Sequence, residues 1–89
     1  MGFAVLLHPR AARDLEKIEK VSRQRIKEQL RMLKDRPEHV GKQLRFSGFW
    51  SLRVGDYRVI YEIDGKKRQV IVLFIGHRKK VYDDFSKLF

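Results

Sequence analysis

The sequence predicts an α+β domain in which two helices near the N-terminus pack on one face of a small, mainly antiparallel four-stranded sheet, in the order β-α-α-β-β-β. Three observations predict it. A run of β-formers, Phe3-Ala4-Val5-Leu6-Leu7, ends at His8-Pro9, where proline can neither donate a ladder hydrogen bond nor continue a central strand. From Pro9 to Asp35 apolar residues recur at helical spacing. Beyond Gly48 the period changes to two, as half-buried strands require.

The first strand covers residues 2 to 7. Pro9 suits the first turn of a helix, and Ala12, Leu15, Ile18 and Val21 recur every three positions, giving a first helix over about 9 to 20 with Arg13, Asp14, Glu16 and Lys17 exposed. Ser22 is a good N-cap for a second helix over about 22 to 35, where Ile26, Leu30 and Leu33 hold one face. Pro37 biases Arg36 away from helical dihedrals and closes it. The stretch from Pro37 to Gly48 has no period and reads as loop, with a short extended piece at Gln43 to Phe46.

Next comes a hairpin. Trp50, Leu52 and Val54 alternate with polar residues, Gly55-Asp56 makes the turn, and Tyr57, Val59, Tyr61 and Ile63 alternate in the returning strand. Asp64 to Lys67 supplies a second turn, and the near-continuous apolar run Gln69 to Ile75 predicts a central strand covered on both faces and stopped by Gly76. Val81 to Phe89 is a short tail with Tyr82, Phe85, Leu88 and Phe89 at roughly helical spacing.

With 89 residues, the chain has room for one domain over 1–89 and one core. Cysteine is absent, which removes disulfides, thiolate metal sites and cysteine nucleophiles together. No apolar run approaches the roughly 20 residues that span a bilayer, so a cytoplasmic location without signal or anchor is expected. Lys and Arg number 21 against 11 Asp and Glu, for a net charge of +10. Between Lys42 and Lys80 ten basic residues face three acidic ones, so most of the excess lies in the C-terminal half. Such a field concentrates polyanions, which makes a nucleic acid or an acidic protein the expected partner.

The hairpin localises the chemistry. A two-residue loop at Gly55-Asp56 sets Val54 opposite Tyr57, Leu52 opposite Val59 and Trp50 opposite Tyr61, all on the core side. The same register sets Arg53 opposite Arg58 on the other side, a like-charge pair that costs stability unless an anion lies between the guanidiniums. Arginine suits that use, because its planar fork is permanently charged and bonds two phosphate oxygens at once. Gly76-His77-Arg78-Lys79-Lys80 and Tyr82 follow the central strand, where a loop can bring polar groups beside the basic face. Cutting RNA without a metal requires deprotonating a ribose 2′-hydroxyl, stabilising the phosphorane and protonating the leaving 5′-oxygen. Arginines can do the second, and Tyr82, Arg78 or His77 could share the others. Lys42, Arg45, Lys79 and Lys80 are candidate contacts to RNA phosphates. His8, His39 and His77 lack metal-ligand spacing, and there is neither a Gly-rich phosphate loop nor a nucleophile elbow, so no cofactor or metal is expected.

Three blocks of the sequence resemble the RelE/ParE superfamily of toxins from type II toxin–antitoxin systems, the RelE branch above all. They are Phe3 to Leu15, Leu52-Arg53-Val54-Gly55-Asp56-Tyr57-Arg58-Val59-Ile60-Tyr61-Glu62-Ile63, and Gly76-His77-Arg78-Lys79-Lys80-Val81-Tyr82. The resemblance implies a RelE-like fold and an endoribonuclease that cleaves messenger RNA in the ribosomal A site through the 2′-hydroxyl. It further implies that Arg58 and Arg53 hold and stabilise the phosphate, that Arg78 assists, and that Tyr82 transfers a proton, with His77 a further candidate. Ser51 stands where the best-studied RelE proteins carry a second lysine, so the resemblance leaves the division of acid and base roles open. An acidic, partly disordered antitoxin is the implied partner. Two other readings stay open: a ParE-like protein that poisons DNA gyrase by binding, and an inactive homologue or basic nucleic-acid-binding domain.

Overall fold

The computed structural model describes residues 2–44 and 48–81. The described residues form β1 (Ala4–Leu7), α1 (Pro9–Glu16), α2 (Lys20–Met32), α3 (Pro37–Val40), β2 (Lys42–Gln43), β3 (Phe49–Val54), β4 (Tyr57–Asp64) and β5 (Gln69–His77). The strands make one sheet in the order β1-β5-β4-β3-β2. The class is α+β, with five described strands where four were expected. The additional one, β2, is two residues long and sets Lys42 opposite Ser51 and Gln43 opposite Trp50.

Pro9 opens α1, and the His8 Nδ1 accepts a hydrogen bond from the Arg10 N–H at 3.1 Å, capping the first turn. The helix ends at Glu16, earlier than expected, and the cap of α2 is Glu19 rather than Ser22. The Glu19 carboxylate accepts from the Ser22 N–H at 2.8 Å, holding its own pKa below the usual value through its hydrogen bonds to Ser22. Val21 therefore leaves the face assigned to it and is 60% exposed. Val21 lies in the first turn of α2, a separate helix that starts after the break at residues 17–19, so the spacing that orients α1 does not set its direction. Pro37 does close the second helical segment, with Arg36 at φ −135° and ψ 57°, but it then opens α3, a single turn within the stretch read as loop.

The hairpin has the expected register, with Val54 opposite Tyr57, Arg53 opposite Arg58, Leu52 opposite Val59 and Trp50 opposite Tyr61. Gly55 takes φ +60° at the first turn position, a left-handed conformation for which glycine is suited. β5 runs past Gly76 to His77, which stands opposite Tyr57. β1 pairs with β5 in parallel, so the sheet is mixed.

Helices α1 and α2 cover one face. There Ala11, Leu15, Ile18, Ile26, Leu30 and Leu33 meet Leu52, Val59, Tyr61, Val70, Val72 and Ile75, with Trp50, Val54, Tyr57 and Ile63 packed against them. The hydroxyl of the fully buried Tyr61 donates to the Pro37 carbonyl oxygen at 2.7 Å, tying α3 to the core. Loss of water around that phenol pushes its pKa up to about 12. A smaller cluster of Ile60, Phe74 and Val81, with Leu44, Phe49 and Leu73 at its edge, sits on the opposite face.

Candidate nucleic-acid interface

The face turned away from α1 and α2 carries Arg53, Arg58 and Lys42. Arg53 and Arg58, facing each other on neighbouring strands, emerge near the hairpin turn. Directly opposed side chains of an antiparallel pair start about 4.5–5.5 Å apart at Cβ, so two cations share one patch of surface. The Arg53 Nε donates to the Gly55 carbonyl oxygen at 3.1 Å, which aims that guanidinium along the turn. Beyond Arg58 lies Gly76 on β5. Gly76 has no side chain, and the Val81 side chain occupies that space: a Cβ on Gly76 would lie 3.0 Å from a Val81 methyl. Lys42 pairs with Ser51 and so joins Arg53 on this face.

Arg78 is anchored at the same end. Its N–H donates to the Asp56 carbonyl oxygen at 2.9 Å, pinning the chain after β5 to the hairpin turn. Residues 78–81 wind as a helical turn on which Arg78, Lys79 and Lys80 are exposed and Val81 is buried. Among the described residues no carboxylate pairs with Arg53, Arg78, Lys79 or Lys80. The structure thus brings Arg53, Arg58 and Arg78 to one end of the sheet. Tyr82 and Arg45 lie outside the described residues, as does the tail beyond Val81.

His77 is placed differently. As the register partner of Tyr57 it belongs to the helix-side face, opposite that of Arg58. The two rings meet edge to face at 6.2 Å and 73°. They line a cleft of about 210 Å³ together with Asp14, Lys17 and Lys80, at the joint between α1 and the ends of β4 and β5. Sequence reasoning did not single out Tyr57 or Lys17. The hairpin register already carried a signal for Tyr57, since it put that ring on the helix side; nothing local in the sequence brings Lys17 to it.

The open face also holds an apolar hollow of about 460 Å³ lined by His8, Arg10, Phe49, Glu62, Leu73 and Phe74. The Arg10 guanidinium lies 4.7 Å from the centre of the Phe74 ring, a cation–π contact that closes one side. Among the described residues no three of His, Cys, Asp and Glu come together as a metal site would need, and no helix is long and apolar enough to cross a membrane.

Fold and site define a small basic α+β domain with arginines gathered at one end of an open sheet face. The family model of the ParE toxin of type II toxin–antitoxin systems matches residues 5–82. A Mycobacterium tuberculosis protein named Toxin RelE is 35% identical over 83 residues, covering 90% of this chain and 86% of that one. The toxin–antitoxin complex RelBE2 from the same organism contains a chain that superposes with a TM-score of 0.81 at 33% identity, covering 88% of this chain and 100% of that one. The archaeal RelE–RelB complex of Pyrococcus horikoshii gives a TM-score of 0.78 at 26% identity over 88% and 97% of the two chains. The chain belongs to the RelE/ParE toxin superfamily of type II toxin–antitoxin systems, and these relatives are on its RelE side.

Proposed function

We propose that residues 1–89 act as one toxin domain, an endoribonuclease that cuts messenger RNA in the ribosomal A site without a metal and is held in check by a cognate antitoxin. The observation that carries this reading is the facing pair Arg53–Arg58, two permanent forked cations set opposite each other on neighbouring strands, where one phosphate would take bonds from both.

The chemistry follows from the residues. A ribose 2′-oxygen loses its proton and attacks the adjacent phosphorus, forming a P–O2′ bond. Arg53 and Arg58 hold the non-bridging oxygens, whose negative charge grows in the phosphorane, and Arg78 adds a third cation from the rim. The P–O5′ bond then breaks and the departing 5′-oxygen takes a proton. Tyr82 is the group we assign to proton transfer, on the strength of the family resemblance. His77, behind the sheet end, is less directly placed for it. Lys42, Arg45, Lys79 and Lys80 hold neighbouring phosphates. The products are a 2′,3′-cyclic phosphate and a 5′-hydroxyl.

Support for a protein partner comes from the net charge of +10 and from the apolar hollow lined by Phe49, Leu73 and Phe74, which together suit an acidic segment with an apolar stripe. The match to a family model described as a ParE toxin keeps the ParE-like alternative, inhibition of DNA gyrase by binding, as the second reading.

End-group analysis of messenger recovered from a translating mixture separates the two. Cyclic phosphate and 5′-hydroxyl ends made by the wild-type chain support the ribonuclease. Intact message combined with loss of gyrase supercoiling supports the other reading.

A further inference from the structure

We propose that the cleft lined by Tyr57, His77, Lys17 and Lys80 is a second nucleotide subsite, which seats the base and phosphate of the RNA residue next to the one held by Arg53 and Arg58. This rests on the ribonuclease reading and states where the strand goes beyond the cut.

Tyr57 and Arg58 are consecutive on β4, so their side chains leave the strand on opposite faces at the same end of the sheet. A single RNA strand passing from one to the other needs to cross only the rim made by the Gly55–Asp56 turn. At Gly55 the turn puts no side chain in the way, and a Cβ there would meet nothing within 4 Å. Arg78 stands on it, fixed by its hydrogen bond to the Asp56 carbonyl oxygen. A cation therefore stands at each stage of the path: Arg58 on the open face, Arg78 at the rim, and Lys17 and Lys80 at the cleft.

The cleft has the chemistry of a base seat. Its volume of about 210 Å³ admits one planar base, and the Tyr57 and His77 rings supply aromatic surface. Base–aromatic stacking tolerates any base, since each has a π-face. Lys17, from the end of α1, and Lys80, from the turn after β5, reach the cleft from separate elements, and both are exposed without a carboxylate partner among the described residues. Asp14, the one acidic residue of the wall, is paired with Arg10 at 3.8 Å. An acidic peptide would satisfy the lysines but would have no use for the two rings.

The test is fluorescence anisotropy with full-length protein and 2′-O-methyl RNA, in which the nucleophile is masked, from dinucleotide to tetranucleotide at low salt. Extension in one direction tightens wild-type binding by roughly tenfold, in line with one stacked base. That gain is lost in Tyr57→Leu and kept in Tyr57→Phe, and Lys17→Gln lowers the salt slope by about 0.7, the share of one phosphate on a single strand. Dinucleotide binding is unchanged by these variants and lost in Arg53→Ala/Arg58→Ala.

A gain that survives both Tyr57→Leu and Lys17→Gln, or no gain in the wild type, overturns the subsite and leaves the ribonuclease reading standing. A gain lost in Lys17→Gln but kept in Tyr57→Leu overturns the base seat in favour of simple charge attraction, as for an acidic peptide. No binding of any RNA likewise overturns the subsite, and the end-group analysis of messenger from the translating mixture then decides the ribonuclease reading by itself. Should Tyr57→Leu fail to fold, Tyr57→Met, which keeps an apolar side chain of similar reach without the ring, is read in its place.

Discussion

Arg53 on β3 and Arg58 on β4 stand directly opposite each other across a two-residue hairpin, so the register that builds the core on one face forces two cations together on the other. Like charges in that position destabilise a sheet by roughly 0.2–1 kcal/mol. This is the place where a phosphate is proposed to bind.

Removing one member should therefore separate folding from ligand binding. Arg53→Ala is expected to unfold at the same temperature as wild type or slightly higher in low salt. Inorganic phosphate should raise the wild-type midpoint by mass action and leave the Arg53→Ala/Arg58→Ala midpoint where it was. Calorimetry with and without phosphate reads both effects, and equal shifts in the two proteins would remove the anion from the account.

Tyr61 makes the domain sensitive to alkali. Its folded pKa of about 12 lies above the ordinary tyrosine value near 10, so the folded state keeps a proton that the unfolded chain gives up. Its contribution is complete below pH 10 and is lost as the pH rises through 12, up to about 2–3 kcal/mol by linkage. Tyrosinate absorbance should show a component titrating near pH 12 that vanishes in Tyr61→Phe; a component already complete by pH 10.5 would contradict the burial.

Gly41 has no room for a side chain. A Cβ there would fall on the Tyr61 hydroxyl and lie 2.9 Å from the Ser51 carbonyl oxygen. Gly41→Ala should destabilise the protein by about 1–3 kcal/mol through overpacking, measured by urea unfolding. An unchanged midpoint would mean that α3 and β2 are not held as described.

Trp50 packs against the core and stacks on Tyr61 with ring centres 6.4 Å apart. Trp50→Ala should cost about 3 kcal/mol, at the low end for such a truncation because the ring is only partly buried. Urea unfolding followed by far-ultraviolet circular dichroism measures it.

The hairpin was legible in the sequence because its information is local: period-two patterning over six and eight residues, and a glycine at the turn position that needs a positive φ. The facing arginines followed from that register alone. Less legible was whatever is short or non-local. Two residues of β2 and one turn of α3 are too few to establish a period. The parallel pairing of β1 with β5 joins segments more than sixty residues apart, and no turn residue encodes it. Helix limits slipped because Glu19 caps α2 through its side chain, a role for which Ser22 is the commoner choice. At the site, Arg53, Arg58 and Arg78 were visible from register and order, whereas the approach of Lys17 to Tyr57 depends on how α1 lies against the end of β5.

The central claim is that the arginines at the sheet end cut RNA on the ribosome. Primer extension on a defined messenger in a reconstituted translation mixture tests it most directly, comparing wild type with Arg58→Ala/Arg78→Ala, after circular dichroism has shown both to be folded. The account predicts stops at A-site codons with the wild-type chain, reduced by at least about 10²- to 10³-fold in the double variant, the loss expected for one preorganised charge stabiliser. Intact message with both proteins, or equal cleavage by both, would contradict it.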